Sequence, residues 1–201
     1  SFTSTAQNPT IAAVTTAGTG TYSVTATTSG CTGPIGTTAV TINQTPNAPT
    51  AGSNTPVCSG NTLSLTASAT GTTYSWTGPN SFTSTAQNPT ISAVTTAGTG
   101  TYSVTATTSG CPSSIGTTAV TINQTPSTPG SGSNSPVCEG FTLSLTSSSI
   151  AGTTYSWTGP NSFTSTLEDP TISGVTTAGG GTYSVNVTSI ANGCVSNTGT
   201  V

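Results

Sequence analysis

The sequence predicts an all-β chain of tandem β-sandwich domains that repeat about every 80 residues. Three observations carry this reading. The text that opens Ser1-Phe2-Thr3-Ser4-Thr5 returns at Ser81 and again at Ser162, and so long a period makes each copy a folded domain rather than one rung of a solenoid. Short runs alternate apolar and polar residues, with turn residues between them and no sustained helical period. Hydroxyl side chains dominate, with 52 Thr and 31 Ser, and β-branched Thr favours strands. Low charge with modest hydrophobicity also fits disorder. Against that, Trp, Tyr, Ile, Val and Leu recur at fixed repeat positions, as a packed core requires.

Taken in order, residues 1–46 read as the C-terminal half of a domain. Residues 47–55 read as a linker, since the stretch around Pro46 and Pro49 is rich in residues that avoid sheet interiors and hold a chain extended. Pro56-Val57-Cys58 opens a complete domain, 56–123. Its strands are Leu63-Ser64-Leu65-Thr66, Tyr74-Ser75-Trp76, Thr90-Ile91-Ser92, Gly100 to Thr107 and Thr117 to Ile122, with a turn at Gly78-Pro79-Asn80. Residues 124–135, with Pro126 and Pro129, form a second linker, and Pro136-Val137-Cys138 opens a third domain, 136–201, whose last strand is incomplete. Both ends read as cuts through a longer array, which accounts for the lack of a visible signal peptide.

The chain has no Lys, Arg or His and three acids, Glu139, Glu168 and Asp169. Binding nucleic acid by phosphate neutralisation has no cation to use, and attraction to anionic membranes fails for the same reason. No apolar run approaches the roughly 18–20 residues of a membrane-spanning helix.

Five cysteines occur, one early and one late in each of the two later copies and one late in the first. By repeat position we pair Cys58 with Cys111 and Cys138 with Cys194, leaving the partner of Cys31 outside the chain. Free buried thiols are the alternative; regular spacing in a hydroxyl-rich chain favours bridges and an oxidising exterior. A metal site lacks both His and clustered Cys.

Catalysis has little to work with. Glu168 and Asp169 are adjacent, but Gln87 and Asn88 replace them in the middle copy, so the pair reads as a solvated loop, with a weak calcium contact as the alternative. The Ser residues lack a base to activate them. No cofactor and no enzymatic activity are expected. Asn43, Asn123 and Asn186 head acceptor patterns for N-glycosylation, and exposed Ser and Thr offer O-glycosylation sites.

Trp76, then Ile91 and Val94, then Gly98, Gly100, Tyr102 and Val104 resemble the immunoglobulin-like pattern of a core Trp, an Ile-x-x-Val segment and an Asp-x-Gly-x-Tyr-x-Cys run. The third copy matches with Trp157, Ile172, Val175, Gly181, Tyr183 and Val185, and the first with Ile11, Val14, Gly20, Tyr22 and Val24. The resemblance implies core roles for Trp76 and Trp157 and a tyrosine corner at Tyr22, Tyr102 and Tyr183. Gly98 stands in place of the family's Asp, and Val104 in place of its second core Cys, so the cross-sheet disulfide is absent. The wording is similar to Ig-like and PKD-like repeats of large secreted bacterial surface proteins of the Bacteroidota type, which implies a secreted, cell-surface stalk or filament of a fibre or adhesin.

Partners implied by that resemblance are copies of itself or neighbouring repeats in a fibre, and glycans. The rival readings are a glycan- or ice-binding module, for which a flat Thr array on one sheet would speak, and accessory repeats of a large secreted enzyme. With no Lys to guard sheet edges, lateral packing in a filament is expected.

Overall fold

The computed structural model describes residues 1–68 and 70–201. It is all-β, with short 3-10 turns as its only helical elements among the described residues, and its sheets build tandem immunoglobulin-like sandwiches. In the middle unit one sheet orders Thr90–Ile91, Leu63–Ala67 and Ala51–Ser53. The other places Gly100–Thr108 between Thr73–Gly78 and Gly116–Val120, with Phe82–Ser84 beyond Thr73–Gly78 and Cys111–Pro112 folded back on the end of Gly100–Thr108. A parallel pair, Ile122–Asn123 on Val57–Cys58, closes the lower edge.

Period-two alternation sends one face of each strand inward. Leu63, Leu65 and Ala67 point inward from one sheet, and Tyr74, Trp76, Tyr102, Val104 and Ala106 from the other, as one core. Ser103, Thr105 and Thr107 lie between the inward positions of their strand and face out. The turn Pro79–Phe82 closes with Phe82 N–H donating to Pro79 O, and its central residues Asn80 and Ser81 both adopt positive φ. Such mirror-image turns match the strand twist of a hairpin.

The third unit repeats the plan. Ser131–Ser133, Leu143–Ser147 and Thr171–Ile172 form one sheet, and Phe163–Ser165, Thr153–Gly159, Ser184–Ser189 and Gly199–Thr200 the other. Trp157, Tyr183, Val185 and Val187 fill its core.

Residues 1–46 share 42 of 46 identities with residues 81–126, yet have no core. Gly20–Val24 pairs with Gly36–Val40 in the register used by their counterparts, but among the described residues no second sheet faces them. Val24 is therefore 68% exposed where its equivalent Val104 is 1% exposed.

The reading of 47–55 and 124–135 as linkers needs correction. Ala51–Ser53 and Ser131–Ser133 are edge strands that pair antiparallel with Leu63–Ala67 and Leu143–Ser147. Pro49 and Pro129 are buried, each with its carbonyl against a glycine that opens a strand of the facing sheet, Gly116 and Gly199. Proline is tolerated at the start of an edge strand, where its missing N–H is not needed, so a composition that reads as connector here begins the sandwich.

Candidate functional site

The chemistry of this chain is concentrated at the junctions between units. Cys58 lies on Val57–Cys58, beside Asn123 of the last strand of its own unit. Its partner is Cys194 of the next unit, at S–S 1.99 Å and Cα–Cα 5.7 Å, 136 residues away in sequence. Cys31, Cys111 and Cys138 are free thiols, Cys31 and Cys138 exposed and Cys111 half-buried.

This overturns the pairings Cys58–Cys111 and Cys138–Cys194. The reason lies in strand direction. Cys111 sits beside Thr108, at one end of the nine-residue strand Gly100–Thr108, while Cys58 sits beyond its other end, past the Gly100–Val120 pair. Eight steps of about 3.4 Å put the two ends about 27 Å apart, and a disulfide needs Cα atoms within about 7 Å. The early and late cysteines of one unit thus mark opposite ends, and only stacking of successive units brings an early one to a late one.

The other junction, between residues 1–46 and the middle unit, carries the counterparts of Asn123 and Cys194 but no counterpart of Cys58. The Asn43 side-chain amide donates to Ser109 O at 2.9 Å, and Cys111 Sγ lies 3.8 Å from Asn43 O. Asn43 is the repeat equivalent of Asn123. Of the three acceptor asparagines, Asn43 is thus held at a junction, Asn123 pairs with Cys58, and Asn186 lies at an outward position of Ser184–Ser189, paired with Ser156.

The aromatic residues are structural in placement. Trp76 and Trp157 are 0% exposed, and their indole N–H groups donate to Gln87 O and Glu168 O, both at 3.2 Å. The hydroxyls of Tyr22, Tyr102 and Tyr183 donate to Gly18 O, Gly98 O and Gly179 O, four residues back. Tyr102 and Tyr183 are buried and Tyr22 is half-exposed. Burial pushes the Tyr102 phenol above its ordinary value of 10.0 by desolvating the phenolate.

The adjacent carboxylates divide into two separate jobs. Asp169 accepts from the Ser147 N–H at 2.9 Å, as Asn88 accepts from the Ala67 N–H at 3.0 Å in the middle unit. Glu168 Oε2 lies 3.5 Å from the Ser149 hydroxyl. Among the described residues no group of three or more His, Cys, Asp or Glu side chains is placed to hold a metal.

A groove of about 150 Å³ is lined by Val137, Leu143, Val175, Gly179 and Glu139 of the third unit. In the middle unit the same place holds the buried side chain of Ile122, against Gly98. The groove thus matches, by repeat position, the place that Ile122 fills in the middle unit.

Outward hydroxyls align across neighbouring strands. Ser103 pairs with Thr77, Thr105 with Ser75 and Thr107 with Thr73; in the third unit Thr188 pairs with Thr154 and Ser184 with Thr158. This row was only partly visible in the sequence, as Thr-x-Thr spacing, because the cross-strand register is a tertiary property.

No protein-family model and no curated protein matches the chain. Among solved structures it is similar to murine CEACAM1b at 17% identity and TM-score 0.37, over 75% of this chain and 96% of that one. It is similar to the human OSCAR ligand-binding domain at 15% identity and TM-score 0.35, over 79% and 99%. It is also similar to the three N-terminal domains of the bacteriophage RB49 Highly Immunogenic Outer Capsid protein at 18% identity and TM-score 0.34, over 78% of this chain and 57% of that one. No helix among the described residues is long and apolar enough to cross a membrane, which says nothing about β-barrel spans.

Proposed function

We propose that this chain is a structural repeat region of an extracellular stalk or filament on a bacterial surface, with neighbouring repeats or copies of itself as its partners. The observation that carries this reading is the Cys58–Cys194 bond. A covalent link across two successive units limits their relative motion and keeps them joined if one opens under load. A disulfide of this kind persists in an oxidising exterior. The absence of Lys and Arg removes every trypsin-type cleavage site, which suits an exposed fibre.

Immunogold labelling of intact source cells is the test. Label along thin surface projections is the expected result. No label on the intact cells, with label appearing only inside sectioned cells, overturns the reading.

The hydroxyl face formed by Thr73, Ser75, Thr77, Ser103, Thr105 and Thr107 favours a second reading, a glycan- or ice-binding module. Partition of the protein into growing ice, or retention on an immobilised glycan panel, lost when Thr77 and Thr105 are replaced by bulky Tyr, would support it. Exclusion from ice together with no retention on glycans would remove it.

A further inference from the structure

We propose that Cys111 is a covalent docking site for the Pro-Val-Cys segment of a repeat unit stacked on the N-terminal side of the middle unit, so that the Cys58–Cys194 bond is one link of a recurring staple. The inference goes beyond the stalk reading, because it concerns the chemistry of unit-to-unit junctions wherever the protein resides.

The first argument is equivalence of place. Cys111 and Cys194 occupy the same repeat position, each two residues before a serine whose hydroxyl is locked in the same way. Ser113 Oγ accepts from the Ala106 N–H at 3.0 Å and donates to Ser114 O, and Ser196 Oγ accepts from the Val187 N–H at 3.0 Å and donates to Asn197 O. The serine lock is common to both hairpins, although the third unit's loop is two residues longer, its lock spanning nine residues against seven in the middle unit, and in that longer hairpin the cysteine is bonded to the unit before it.

The second argument is the seat that Cys111 faces. In the bonded junction the cysteine reached by Cys194 is held beside Asn123 by a parallel pair, with Val57 N–H donating to Thr121 O and Ser59 N–H donating to Asn123 O. In the first junction Cys111 Sγ lies 3.8 Å from the carbonyl of Asn43, the counterpart of Asn123. The edge Ile42–Asn43 carries no parallel partner strand among the described residues. A Val-Cys segment paired there as Val57–Cys58 pairs with Ile122–Asn123 places its sulfur at Cys111. Edge addition of this kind supplies main-chain hydrogen bonds and fixes register.

The bond forms by exchange with an organic disulfide such as oxidised glutathione. One protein thiolate attacks it and releases one glutathione thiol. The second protein thiolate then attacks the mixed disulfide and releases the other, so two protein thiols are oxidised as one glutathione disulfide is reduced to two thiols.

The test is a chain carrying a copy of residues 47–80 fused in front of Ser1, which completes the first unit and gives it an early cysteine. It is oxidised with a glutathione pair and mapped by non-reducing peptic digestion. A bond from the new cysteine to Cys111, with Cys58–Cys194 retained, is the expected result. A bond from the new cysteine to Cys31 overturns the proposal, as does its remaining free, with Cys111 also free, while Cys58–Cys194 is intact.

Should the longer chain not fold, the natural chain gives the answer. A synthetic peptide of residues 53–62, presented as its mixed disulfide with glutathione, is expected to join Cys111 about tenfold more than Cys31 or Cys138, because pairing at Ile42–Asn43 raises its local concentration. Equal capture, or preference for the two more exposed thiols, overturns the proposal.

Discussion

Trp157 donates its indole N–H to the main-chain carbonyl of Glu168, as Trp76 does to that of Gln87, each at 3.2 Å. The acceptor side chains differ, yet the bond is unchanged, because it is made to the backbone. Each ring is fully buried in its own core. Trp76→Ala is therefore expected to cost the middle unit about 3–5 kcal/mol, enough to unfold a small domain, while leaving the third unit intact. The variant retains a single Trp, Trp157, in the third unit. Its fluorescence should stay blue-shifted while far-UV circular dichroism falls by the share of the lost unit.

Reduction or Cys194→Ser should loosen the join between units. Closing a loop over a separation of 136 residues contributes about 5 kcal/mol in the chain-entropy model. The expected outcome in guanidinium is a lower midpoint for the variant and, by small-angle scattering, a broader spread of maximum dimension. Unchanged scattering and midpoint would mean that packing alone holds the junction.

The Tyr102 hydroxyl donates to Gly98 O inside the core, and Tyr102→Phe should cost about 1–2 kcal/mol by leaving that carbonyl without its donor. The phenol's folded value lies above 10.0 through desolvation, so the folded state prefers the protonated form. Its contribution is fully present below pH 10 and is lost as pH rises through the folded value. Thermal melts of the wild type should fall above pH 10 more steeply than those of Tyr102→Phe.

Asp169 and Asn88 perform the same task, each accepting a strand N–H. Asp169→Asn is thus expected to change stability by less than about 0.5 kcal/mol, and Asp169→Ala to cost about 1 kcal/mol. Calcium and chelator should leave the melting temperature of the wild type unchanged. A calcium-dependent rise, absent in Asp169→Asn, would assign the carboxylate a cation instead.

Gly78 lies flat on the Tyr102 ring, and Gly159 on the Tyr183 ring, where a Cβ would run into the aromatic carbons. Gly159→Ala is expected to cost the third unit about 1–3 kcal/mol by forcing the ring out of place, read as a lower midpoint for Trp157 fluorescence with Trp76 unaffected.

The all-β class, the repeat near 80 residues and the inward face of each strand follow from local pattern alone. Alternation around Leu63-Ser64-Leu65, the Gly78-Pro79-Asn80 turn and the recurrence of Trp76 at Trp157 are properties of neighbouring residues and of self-similarity, and period two leaves little choice of face. Two features waited for the tertiary structure. Pro49 and Ala51–Ser53 read as linker because composition registers what avoids a sheet interior, and not that an edge accepts it. Cysteine pairing failed for a different reason. Position within the repeat gives one early and one late thiol per unit, but the strand Gly100–Thr108 carries Cys111 to the end of the unit opposite Cys58, and only the stacking of whole units brings Cys58 to Cys194.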